Sequence, residues 1–131
     1  MGHNNLSWWG NNTWNWGDQL NPWLYSKITG IPVSKINRIE LWDKSNIPRY
    51  YVIGSILNHT HSPNVEVWGS GLEGGNYPIP HLPSKLNAVR GPLTRKVLIA
   101  LGCDCPEIYG DPALLLPKYY TPNVKKEYKY G

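Results

Sequence analysis

In the stretch LNAVRGPLTRKVLIALG, residues 86–102, an apolar run stops at Arg90 and a glycine, a proline and a helix-like pattern follow. A guanidinium at a strand end, just ahead of a helix, stands beside amides that have no intrahelical partner and carry the positive end of the helix dipole. Together they make a seat for a phosphate or a carboxylate. Arg95, about one turn further on, is a second candidate for the same anion. The structural alternative for Arg90 is an ion pair with a carboxylate such as Asp111.

Other small and polar residues could serve the same chemistry. Gly54-Ser55 and Gly69-Ser70-Gly71 would let a ligand approach the backbone and offer free amides, or they are simple tight turns. Asn15, Gly17 and Asp18 fall in one short stretch, NWGD. Asp18 could cap a helix, act as a general base or bind a sugar hydroxyl. Asp111 stands before Pro112, where it would cap a turn or orient Arg90. His59 and His61 form a His-x-His pair, but no third ligand stands at close spacing, so no metal is expected. His81 lies in a proline-rich connection and His3 at a terminus. Neither a Ser-His-Asp set nor a phosphate loop is evident, since GSGLEGG lacks the Lys-Ser/Thr ending.

The elements that must position these residues follow from apolar spacing and from punctuation. LSWW reads as a short strand. Leu20, Trp23, Leu24 and Ile28 have the spacing of a helical face, with Asp18 or Asn21 as its cap and Gly30 as its stop. YYVI, VEVW and LNAV read as buried strands, each closed by Gly-Ser, Gly-Ser-Gly or Arg-Gly. Pro92 suits the first turn of a second helix ending near Gly102, with Leu93, Val97, Leu98 and Leu101 as its apolar face. EIYGDPALLLP gives a last short strand and one helical turn. Strands alternating with helices predict an α/β fold with a parallel, Rossmann-like sheet. Ligands of such sheets bind beyond the carboxyl ends of the strands, which would gather all five junctions on one edge.

The bulk numbers agree with one domain. The chain has 131 residues, a formal charge of +4 and a pI of about 9.1. That is mildly basic, which suits an anionic substrate, and the Lys and Arg residues are too dispersed for nucleic acid. The densest cluster, Lys125, Lys126 and Lys129, reads as a solvated tail. Seven Trp and nine Tyr stand beside no Phe, and Trp8, Trp9, Trp14 and Trp16 lie close together. Such residues pack cores, and they also bind sugars and partners. The chain lacks an apolar run long enough to span a membrane and a recognisable secretion signal. Cys103 and Cys105 are too close for an unstrained disulfide and too few for zinc, and are expected as reduced thiols in a cytoplasmic protein.

Taken together and in order, NWGDQLNPWL, YVIGSIL, VWGSGL, AVRGPLTRKVLIALG and YGDPALLLP resemble the polysaccharide pyruvyl transferase family, from about residue 6 to the end. The resemblance implies transfer of a pyruvyl group from phosphoenolpyruvate to two sugar hydroxyls, giving a ketal on exopolysaccharide or another cell-envelope glycan. It implies the amino-terminal half of a GT-B-type transferase, with two Rossmann-like halves facing a cleft. Residues 1–131 would form one domain, and 118–131 a linker to a second one that this chain lacks. Arg90 matches the family arginine linked to donor binding. No cofactor is implied. The partners would be phosphoenolpyruvate and a glycan or lipid-linked sugar acceptor, in the cytoplasm or at the inner face of the membrane. The family's acid is a histidine of the second domain, so the isolated chain is expected to be inactive. Two alternatives stay open: a GT-B-like half that uses a nucleotide sugar, and a non-catalytic domain that binds glycan or pairs with itself or a partner chain.

Overall fold

A computed structural model describes residues 4–8, 15–35, 48–74 and 78–129 of the chain. His3, Trp9 and Trp14 lie outside the described residues. The strands are β1 (Asn4–Ser7), β2 (Val33–Lys35), β3 (Arg49–Tyr51), β4 (Val65–Trp68) and β5 (Lys85–Ala88). The helices are α1 (Trp16–Thr29), α2 (Pro92–Ala100) and the short α3 (Leu116–Tyr119). All five strands pair in parallel, in the order β2-β1-β3-β4-β5. Beyond β5, the expected last strand contributes a single parallel bridge, Val89 to Tyr109. The α/β, Rossmann-like architecture is therefore the one the alternation of elements predicts.

Side chains alternate across the sheet, so each face has its own core. Tyr51, Val65 and Val67 point to one face, with Leu57, Val89, Leu98 and Cys105. Tyr50 and Trp68 belong to the other face, against Leu6, Leu24, Tyr25 and Ile53. There the rings of Tyr25, Tyr50 and Trp68 lie 5.4–5.9 Å apart in tilted contacts. Each fully buried leucine or valine contributes about 1.5–3 kcal/mol through removal from water.

Two helical faces differ from those predicted. In α1 the buried stripe is Asp18, Leu20, Asn21, Leu24 and Tyr25, while Trp23 and Ile28 are exposed. Two polar residues occupy the inner face because they have work at the strand ends, which turns Trp23 outward. In α2 only Thr94 and Leu98 are buried, and Leu93 is 80% exposed. Of the predicted apolar face, only Leu98 joins the core, packed with Val67, Val89 and Cys105. The thiols of Cys103 and Cys105 are free, and burial pushes both above the ordinary thiol range.

Candidate functional site

The strand-end junctions are stitched to one another by main-chain bonds. Gly71 donates to the Gly54 carbonyl at 3.0 Å, Gly69 to Ala88 at 2.9 Å, Arg90 to Ser70 at 3.2 Å and Gly110 to Val89 at 3.1 Å. Gly69 needs its missing side chain most. Its φ is +107°, and an added Cβ would lie 2.6 Å from the Gly110 carbonyl oxygen and 2.5 Å from Pro112. The Gly69-Ser70-Gly71 and Gly110-Asp111 junctions can meet this closely only if position 69 is glycine.

Helix α1 is fastened to the same rim by one buried amide. Asn21 Oδ1 accepts from the Ile53 amide at 2.8 Å, and its Nδ2 donates to the Ile53 and Asp18 carbonyls at 3.1 and 3.2 Å. The helix cap is neither Asp18 nor Asn21, as the spacing suggested, but Asn15, whose Oδ1 accepts from the Asp18 amide. Relieved of capping, the Asp18 carboxylate faces elsewhere.

It faces a cavity of about 480 Å³ over the carboxyl ends of the strands. Asn15, Gly17, Asp18, Gly54, Ser55, Arg90 and Asp111 all line it. These come from four of the five predicted junctions. The remaining one, Gly69-Ser70-Gly71, does not line the cavity and acts from beneath. Ser70 is fully buried and accepts from the Arg90 amide through its carbonyl. Gly71 is the surface on which the Arg90 guanidinium rests, because a Cβ there would lie 2.7 Å from Arg90 Cζ.

Arg90 is held without an acid. Its Nη1 donates to Ser55 Oγ at 2.8 Å and its Nη2 to the Leu72 carbonyl at 3.2 Å. Among the described residues no carboxylate pairs with it. Its positive charge is therefore oriented but not neutralised, and Asp111 spends its Oδ1 on the Ala113 amide at 2.9 Å instead. Arg95 takes another course. Its Nε donates to the Cys105 carbonyl at 3.0 Å, which ties α2 to the following loop and keeps Arg95 out of the cavity. The anion-binding role that its place in the sequence suggested is not supported by its position.

The rim is not simply cationic, contrary to the charge expected from the sequence. Asp18, Glu73 and Asp111 all line the cavity with Arg90. Each acid is in a different state. Asp111 is bonded as a cap. Glu73 Oε2 lies 3.5 Å from His59 Nε2. The Asp18 carboxyl has no hydrogen-bonding or ionic partner among the described residues, and burial pushes it above the usual aspartate range. A carboxyl that binds a proton readily, in the same cavity as an exposed cation, suits proton transfer to or from a bound anion.

His59 and Glu73 are lining residues that sequence reasoning missed as site residues. The sequence suggests His59 only as a metal ligand, yet it sits on a 3-10 turn, Leu57–His59, directly after the Gly54-Ser55 junction. Glu73 is placed by the Asn58 side chain, which accepts from the Glu73 amide at 2.7 Å. Proximity to a glycine-rich junction was the available signal for both. Among the described residues, no three of His, Cys, Asp and Glu gather as metal ligands, and no helix is long and apolar enough to cross a membrane.

Compared with family models, with curated proteins and with solved structures, the chain matches none of them.

Proposed function

We propose that this chain is a pyruvyl transferase-like domain whose cavity holds phosphoenolpyruvate, for transfer of the pyruvyl group to sugar hydroxyls. One observation carries the reading. Stretches far apart in sequence, on which the resemblance to that family depends, contribute Asn15, Asp18, Gly54, Ser55, Arg90 and Asp111 to a single cavity. At its wall stands a guanidinium fixed on Gly71 and Ser55 with no acid against it.

The donor carries a phosphate and a carboxylate, and a guanidinium binds either through charge-assisted bonds. Two sugar hydroxyls add to the central carbon, its bond to the phosphate oxygen breaks, and the methylene carbon gains a proton to become methyl. Of the two hydroxyl protons, one balances that methyl group and the other leaves with phosphate. Arg90 would hold the departing phosphate. Asp18 would take a hydroxyl proton, and its elevated pKa suits it to give the proton back. In this reading the sheet is one of two lobes flanking a cleft, and the work is done in the cytoplasm, where the donor is made.

Calorimetric titration of phosphoenolpyruvate into the chain and into Arg90→Ala tests the reading. Binding weakened by salt is expected, and loss of the guanidinium should reduce affinity by about 10- to 100-fold, the worth of one or two charge-assisted bonds. Equal affinity in the two proteins would remove Arg90 from the donor site and the reading with it.

A further inference from the structure

Outside the cavity, the described surface has a second concavity of different chemistry. A groove of about 350 Å³ runs between α1 and α3 and is lined by Trp16, Gln19, Leu20, Trp23, Leu116 and Tyr120. Three of these six are aromatic, and they are left open: Trp16 is 65% exposed, Tyr120 54% and Trp23 37%. Their arrangement is held from both ends of the chain. The Tyr120 ring meets Trp23 edge-on at 6.4 Å and 87°, and the Lys27 ammonium lies 5.7 Å from the centre of the Trp23 ring. The groove and the cavity share the start of α1: Trp16 lines the groove, and its chain neighbours Asn15 and Gly17 line the cavity.

We propose that this groove is a saccharide subsite, in which pyranose rings lie against Trp16, Trp23 and Tyr120. The inference depends on the reading above for the role of the sugar as acceptor, but not for its binding. Sugar rings present C–H faces that pack on aromatic rings, and hydroxyl edges that need polar partners. The groove offers both: the open faces of Trp16 and Tyr120, and the Gln19 amide for hydroxyls. An extended apolar chain would use the rings but leave the Gln19 amide without a partner. A saccharide on Trp16 would lie at the same end of α1 as Asp18, the group that would take its proton.

The test uses the whole chain with neutral disaccharides of glucose, galactose and N-acetylglucosamine as probes. Saturation-transfer NMR reports ligand contact, and the indole N–H signals of Trp16 and Trp23 report where it occurs. Millimolar binding is expected for at least one probe, as is usual for a small neutral ligand on an open surface. Trp16→Ala and Tyr120→Ala, both at well-exposed positions, should each weaken it at least tenfold, while Arg90→Ala leaves it intact. Circular dichroism checks that the variants remain folded, with Trp16→Phe as a milder change that should retain part of the binding. No contact with any probe, or contact unchanged in both alanine variants, overturns the proposal. Self-association abolished by Trp16→Ala, or indole shifts caused by anionic vesicles and not by sugars, would assign the face to a second copy or a lipid surface and also overturn it. Phosphoenolpyruvate binding without sugar binding defeats this inference alone, and the converse defeats only the donor assignment.

Discussion

The two flanks of the sheet are fastened by different means. On the α1 flank, tilted ring contacts and one buried amide do the holding, and Asn21 joins the helix start to Ile53. On the α2 flank, aliphatic side chains bury around Leu98, and glycine backbone packs directly on glycine backbone at residues 69 and 110. The lesson concerns tolerance. A flank built on backbone contact admits no added atom, whereas one built on a side-chain clamp fails by losing specific bonds. Arg90 lies where the flanks meet, since Gly71, which supports it, bonds to Gly54 of the α1 flank.

Gly69→Ala presses hardest on this contrast. The strained φ and the collision with the Gly110 carbonyl should together cost about 3–5 kcal/mol, read as a lowered urea midpoint or as insoluble protein. A variant as stable as the parent would mean that the flank yields. Leu98→Ala removes a fully buried side chain and should cost about 3 kcal/mol. Leu93→Ala, in the same helix but 80% exposed, should cost less than about 0.5 kcal/mol. If the two matched, α2 would be seated differently.

Asn21→Ala addresses the other flank. It leaves the Ile53 amide and carbonyl without their partner and should cost about 2–3 kcal/mol by denaturant titration. Asn21→Leu, which fills the space without the bonds, should not restore the stability. Gly71→Ala is expected to change stability by less than about 1 kcal/mol, because the atoms it meets belong to the mobile end of Arg90. It should nevertheless displace the guanidinium and weaken phosphoenolpyruvate binding severalfold, a split between stability and binding that Gly69→Ala cannot give.

The smallest effect concerns pH. Burial raises the Asp18 pKa above its unfolded value, so folding favours the protonated carboxyl. Stability contributed in this way is complete at acid pH and is lost as pH rises from the ordinary aspartate value through the raised one. Asp18→Asn removes that loss. Its melting temperature should equal that of the parent at low pH and exceed it slightly at neutral pH. The opposite order at neutral pH would show that the ionised carboxylate has a partner that stabilises it.

Much of the frame is legible in the sequence, because strand and turn signals are local. VEVW is a strand at the residues expected, and Pro92 does open α2. The gathering of junctions on one edge follows from parallel pairing, which alternation of elements implies. Facing is less legible. Trp23 has the right spacing for the core, yet Asn21 takes the inner position because a polar pair, the amide and carbonyl of Ile53, needed an answer thirty-two residues away. Arg95 matches Arg90 in type and near-position, but only the fold shows that the Cys105 carbonyl claims it. His59 and Glu73 meet through a turn and a loop whose geometry leaves no periodic trace.

The Asn21 clamp has a mechanical consequence. One amide grips both polar groups of a single residue, so the start of α1 cannot swing from the β3 junction without breaking two bonds at once. That wall of the cavity behaves as a fixed jaw. Any adjustment to an arriving molecule falls to Arg90, whose side chain is held by two hydrogen bonds, to Ser55 and to the Leu72 carbonyl, that a ligand can replace.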